Sequence, residues 1–138
     1  MHPTNTESPE WLERWTNFQA LVANCLSKTI WARGGIVIST VQSPLASEPG
    51  DGSKVSQVSV EFHPGPMPLA GIALLLEGKP DNGFSIRIFS RLLESFPRYE
   101  VADDKPFQPL VAEVMDRVSQ LVERLNAGEI GRCVLQYG

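Results

Sequence analysis

Apolar residues recur at helical spacing in the first quarter of the chain. From Trp11 to Ile30 they return every three or four positions, which makes one stripe along a helix of roughly six turns. Ser8 can cap the first free N–H groups, and Pro9 suits the first helical position. Gly34-Gly35 would end this element. The pattern predicts a long helix with one buried face.

A second stretch with the same spacing lies near the other end. Pro109 can open a helix, and apolar residues repeat from Leu110 to Leu125, with Val118 and Leu121 in the middle of the stripe. Gly128 supplies a C-terminal cap. We expect this stripe to seal one side of a β-sheet.

Five stretches predict β-strands: Ile36–Gln42, Val55–His63, Leu69–Glu77, Phe84–Ser90 and Ile130–Tyr137. The second and fourth alternate between apolar and polar residues, so one face of each is expected in water. The third is nearly all apolar. A short helix remains an alternative for it, although Gly71 and the flanking turns favour a strand.

The intervening segments predict loops and turns. Ser43–Ser53 is rich in Pro, Gly and Ser, and three prolines between His63 and Pro68 remove ladder donors. Arg91–Phe96 suggests a helical turn, whereas Arg98–Pro106 suggests irregular structure.

Strands joined by short loops pair antiparallel, and two single-striped helices must cover one face of the resulting sheet. The sequence therefore predicts an α+β two-layer sandwich with a mostly antiparallel sheet of four to five strands, in the order α-β-β-β-β-α-β. We expect residues 1–7 to form a flexible tail and residues 8–138 to form a single domain.

Composition narrows the function classes. Of the 138 residues, 42% are hydrophobic and 20% charged, and the net charge of −4 comes with scattered basic residues, which disfavours nucleic-acid binding. Cys25 and Cys133 fit no zinc pattern and are expected as reduced core thiols. No signal peptide or membrane-spanning run is apparent. These features predict a cytoplasmic protein that does not bind membranes.

Few residues of the chain are candidates for catalysis or for binding a metal or cofactor. His63 is the one histidine in the body of the chain, and it ends an alternating strand with Glu61 two residues before it on the same face. It could act as a general base, or it could be a solvated strand-end residue. No glycine loop matches a phosphate-binding motif. We therefore predict no catalytic residue, metal site or cofactor.

The open face of the sheet is the best candidate surface. Glu61 and Arg87 belong to its polar side, while the apolar third strand must add either Leu74 or Leu75 to it, depending on register. Trp11, in the first helical turn, is a further candidate contact. An apolar strip rimmed by charge is typical of a partner-binding surface.

These observations favour a non-catalytic protein-binding module, such as an assembly factor, a chaperone-like protein or a structural subunit. Its partner would be another protein or a second copy of the chain. The alternative is a small enzyme or ligand-binding protein with a pocket near the end of the second strand, using His63, Glu61 and Arg87. A closed cavity with converging polar groups would favour the alternative.

Overall fold

The computed structural model describes residues 8–45, 53–64, 69–80, 83–93, 95–102 and 104–128. Two helices and five strands follow one another in this order: α1 (Pro9–Ala32), β1 (Ile36–Leu45), β2 (Lys54–His63), β3 (Ala70–Lys79), β4 (Gly83–Phe89), β5 (Arg98–Val101) and α2 (Gln108–Asn126).

The five strands form one antiparallel sheet in the order β1-β2-β3-β4-β5, so each strand pairs with its neighbour in sequence. The apolar stripes of both helices pack against the same face of this sheet and form one core with it. We call this the inner face and the opposite one the outer face. The predicted two-layer α+β class is confirmed.

The helix ends follow the local sequence signals. The Ser8 hydroxyl accepts a hydrogen bond from the Trp11 N–H at 3.1 Å, and Pro9 occupies the first turn. Gly34 and Gly128 both have φ near +90°, a conformation that ends each helix where the glycines predict. The middle of the second stripe, Val118 and Leu121, is fully buried.

The two helices run parallel to each other. Near their N-terminal ends, the Arg14 guanidinium donates to the Lys105 carbonyl at 3.2 Å. Near their C-terminal ends, Arg33 pairs with Glu123 at 2.9 Å, and the Asn126 side-chain amide donates to the Arg33 carbonyl at 2.7 Å. These contacts tie α1 to α2 at both ends.

The structure corrects one expectation about the strands and confirms another. Arg98–Val101, expected to be irregular, forms β5: the Ile88 N–H donates to the Pro97 carbonyl at 3.1 Å, and Tyr99 and Val101 pack against the core. Four residues beside a proline are too few to show an alternating pattern. β3 is a strand and not a short helix. The strand predicted at Ile130–Tyr137 lies outside the described residues.

β1 is longer than predicted, because it continues to Leu45 into the segment expected to be a loop. A β-bulge interrupts its pairing with β2 between Val37 and Ser39. Ile36, Ile38 and Val41 are all at least half exposed. β1 lies at one edge of the sheet, and these apolar side chains are in contact with water.

Candidate functional site

The structure decides the register of β3. Ile72, Leu74 and Leu76 face inward and are buried, so Ala73 and Leu75 belong to the outer face. Leu75 pairs with Gln57 on one side and Arg87 on the other. Of the two leucines offered by the sequence, Leu75 is the one that joins the polar side chains.

Two candidate contact residues are thereby corrected. Leu74 has 0% exposed surface, because its side chain lies between the sheet and the helices. Trp11 is 5% exposed, with its ring stacked on Trp15 and Phe84 at centroid distances of 6.1 and 6.4 Å. Trp11 lies in the first turn of α1, which packs against the core. Both side chains are therefore buried, and neither is available to a partner.

The remaining candidates, Glu61, His63 and Arg87, are exposed on the outer face. They do not form a cluster. Glu61 pairs across the ladder with Ser39 and Gly71, His63 pairs with Ile36 at the end of β2, and Arg87 lies on a different rung of β4. A shared catalytic role for these three side chains is not supported by this arrangement.

A groove crosses the outer face beside Glu61. One rung of the ladder places Val41, Ser59, Ala73 and Phe89 side by side on four consecutive strands. The small side chains of Ser59 and Ala73, together with Gly71, form its floor. Val41 and Phe89 stand on either side as walls. We call this feature the outer groove.

Phe96, which follows the turn after β4, adds to the wall formed by Phe89. Phe96 packs on Phe89 with ring centroids 4.6 Å apart and remains 46% exposed, while Val41 opposite is 50% exposed. The outer groove has a volume of about 470 Å³ and is open to solvent. Its rim carries Glu61 near β1 and Arg91 beside the aromatic pair. The walls are therefore apolar, and the charges lie at the rim.

The other half of the outer face is polar and internally paired. The Arg98 guanidinium contacts carboxylate oxygens of Glu77 and Glu100, each at 3.2 Å, and lies 3.4 Å from the Ser85 hydroxyl. This cluster covers Ser85, which is buried although it points outward. The outer face thus divides into an apolar groove and a salt-bridged surface.

Sequence reasoning identified the outer face but missed the residues that shape its groove. Phe89 continues the outward series Ser85 and Arg87, so the alternation of β4 contains the signal that a phenylalanine lies on the polar side. Val41 had no such signal, because the predicted strand Ile36–Gln42 does not alternate and a β-bulge between Val37 and Ser39 shifts which side chains face outward. Phe96 had none, because it fell in a predicted turn.

The described part of the chain offers little for other kinds of site. No three His, Cys, Asp or Glu side chains among its residues are placed to hold a metal ion. Cys25 is a partly buried free thiol, and Cys133 lies outside the described residues. Neither α1 nor α2 combines the length and apolar character required to cross a membrane.

Comparisons with known proteins found no match: no family model, no curated protein and no solved structure resembles this chain significantly. The candidate function therefore rests on the geometry of the outer face.

Proposed function

We propose that this protein is a non-catalytic binding module that takes an apolar segment of a protein partner, or of a second copy, into the outer groove. One observation carries the proposal: on a face that neither helix covers, Val41 and Phe89 wall a floor of small side chains. Side chains of these sizes leave space that another apolar group can fill.

The energetics favour association at this place. Val41, Phe89 and Phe96 are large apolar side chains in or near contact with water, and burying apolar surface contributes roughly 25 cal/mol per Å². The surrounding charges of Glu61, Arg87 and Arg91 resemble the polar rim of a protein interface. A role as an assembly factor, a chaperone-like protein or a structural subunit would use such a surface.

A small-molecule site is the second candidate. The outer groove lies within the roughly 300–1,000 Å³ of ordinary ligand pockets, and Glu61 at its rim could orient a polar ligand. Against this, such pockets enclose most of their ligand, whereas the outer groove is open along the sheet. His63 and Arg87 do not line it.

Photo-crosslinking from the wall can test the proposal. A photoreactive phenylalanine analogue at Phe89, in the full chain expressed in its own host, should form a covalent adduct of protein mass. The Ala73→Tyr substitution, which fills the floor, should abolish that adduct. Lys79→Tyr is the matched control, because Lys79 points from the same strand and face but lies outside the outer groove.

The outcomes separate the candidates. A protein adduct that survives Ala73→Tyr would mean that the contact lies elsewhere. Absence of a protein adduct, together with a co-purifying small molecule in native mass spectrometry, would replace the binding module with the ligand-binding alternative.

A further inference from the structure

We propose, building on the function above, that the occupant of the outer groove is an amphipathic α-helix of another protein, with an acidic flank beside Arg87 and Arg91. The inference rests on the width of the groove, the lack of hydrogen-bonding groups in its walls, the condition of the β1 edge, and the charges at its rim.

The width of the outer groove suits a helix. Val41 and Phe89 lie on β1 and β4, which are three strand spacings apart. At about 4.8 Å per spacing, their backbones are roughly 14 Å apart. A helix with its side chains is about 10–12 Å across. The Val41 and Phe89 side chains occupy part of this separation, so the apolar ridge of a short helix lying along the strands, at positions i, i+3 or i+4, and i+7, can enter between the walls while the rest of the helix lies above them.

The lining of the outer groove offers few partners for the backbone of an extended peptide. Val41, Ala73, Gly71 and the two phenylalanines carry no polar side-chain atoms, and the lining adds only the hydroxyls of Ser39, Ser59 and Ser90 to the charges at the rim. An extended peptide in the outer groove would find no strand to pair with, and those of its N–H and C=O groups that turn toward the floor would lose water without gaining a partner. A helix satisfies these groups internally.

The edge of the sheet offers a poor alternative to an extended peptide. β1 contains a bulge between Val37 and Ser39, and Pro44 lacks an N–H donor. Bulges and prolines are the features that natural edge strands use to prevent pairing with another strand. Strand addition at β1 is therefore disfavoured at the bulge and at Pro44.

A second copy of the chain is also a poor source of the helix. The apolar stripe of α1 and that of α2 are both buried in the core of the chain itself. Neither helix can present an apolar ridge to a neighbouring molecule without unfolding. Among the described residues, no further helix is present. Since the described residues offer no free helix, we assign the occupant to another protein.

Charges at the rim and just beyond it indicate the flanks of the partner helix. Arg87 lies two residues before Phe89 on the same face and is exposed, and Arg91 lines the groove beside Phe96. Glu61 lies on the other side, near Ser39. An acidic flank toward the arginines and a basic residue toward Glu61 would complement this arrangement.

A peptide-display selection tests the inference on the full chain. A random library of peptides of about twenty residues, roughly 30 Å long as a helix, would be selected on the wild type and counter-selected on Ala73→Tyr. We expect enriched peptides with apolar residues at i, i+3 or i+4, and i+7 and an excess of Asp and Glu. A synthetic copy of an enriched peptide should gain helical circular dichroism on binding.

Two substitutions sharpen the result. Proline in the middle of the enriched peptide should weaken binding at least about 100-fold, whereas proline at its first helical position should leave affinity almost unchanged. Arg87→Glu should weaken binding roughly three- to tenfold, and replacing the acidic flank of the peptide with lysine should restore it.

Other outcomes overturn the inference in distinguishable ways. Enriched peptides with alternating apolar residues would indicate strand binding, and enrichment that Ala73→Tyr does not remove would place binding outside the groove. Sedimentation that shows a wild-type dimer and an Ala73→Tyr monomer would identify a second copy as the occupant.

If no peptide is enriched while Phe89 still crosslinks to a protein, the helix inference fails and the binding module remains. Failure of both experiments overturns both proposals.

Discussion

Leu74 and Leu75 are neighbours in sequence but lie in different environments on the two faces of β3. Leu74 points inward and is fully buried beneath the helices, whereas Leu75 points outward between Gln57 and Arg87 and is partly exposed. Sheet geometry alone separates them, since successive side chains alternate between faces. The comparison shows that one apolar run can supply both a buried core and part of an exposed face.

The glycines of β3 repeat this contrast. Gly78 points inward, and a Cβ atom there would lie 2.7 and 2.9 Å from two ring carbons of Trp15. Gly71 points outward at the floor of the outer groove, and a Cβ there would meet nothing closer than the Val60 carbonyl at 3.6 Å. One glycine makes room for a core tryptophan, while the other keeps a surface depression open.

The largest expected effect separates the two leucines. Leu74→Ala should lower the free energy of unfolding by about 2–5 kcal/mol, because it leaves a cavity in the core. Leu75→Ala should cost at most about 1 kcal/mol, since its side chain is already partly in water. Urea denaturation of the two variants measures the difference. Equal losses would mean that the outer face is covered by further structure or a partner.

The glycine pair should give a smaller but still clear difference. Gly78→Ala forces the Trp15 ring to move and should cost about 1–3 kcal/mol. Gly71→Ala removes backbone freedom from the unfolded chain without a clash and should leave stability unchanged or raise it by up to about 1 kcal/mol. Thermal unfolding of both variants tests this. A stable Gly78→Ala protein would contradict the packing of Trp15 against β3.

The smallest effect is expected for the ion pairs of the outer face. Arg98 contacts Glu77 and Glu100 at 3.2 Å, but these side chains are substantially exposed. Arg98→Met should therefore reduce stability by less than about 1 kcal/mol, and the loss should shrink as NaCl rises from about 0.1 to about 1 M. A large, salt-independent loss would instead indicate that Arg98 stabilises β5 through packing.

Much of the fold could be predicted from local patterns. The apolar stripes of α1 and α2 predict the faces they bury, and Ser8, Gly34 and Gly128 predict where helices begin or end. The alternation in β2 shows which of its side chains face water. β5 could not be predicted in this way, because four residues depend on pairing with β4 for their conformation.

Only part of the candidate site could be predicted from the sequence. Glu61, His63 and Arg87 were correctly assigned to the outer face, and Leu75 was one of two options for the strand between them. Trp11 was misjudged because its position in a first turn suggests exposure, while its ring in fact packs on Trp15 and Phe84.

By itself, the sequence determined the two helices, the strands β1 to β4 and the apolar face of each helix, because these depend on spacing along a single segment. Only the tertiary structure decided which residues of neighbouring strands lie opposite each other. Val41, Ser59, Ala73 and Phe89 come from four strands, and their alignment depends on pairings between segments distant in sequence. A period of two identifies the face of a residue but not its neighbour across the ladder, and the outer groove exists only through those neighbours.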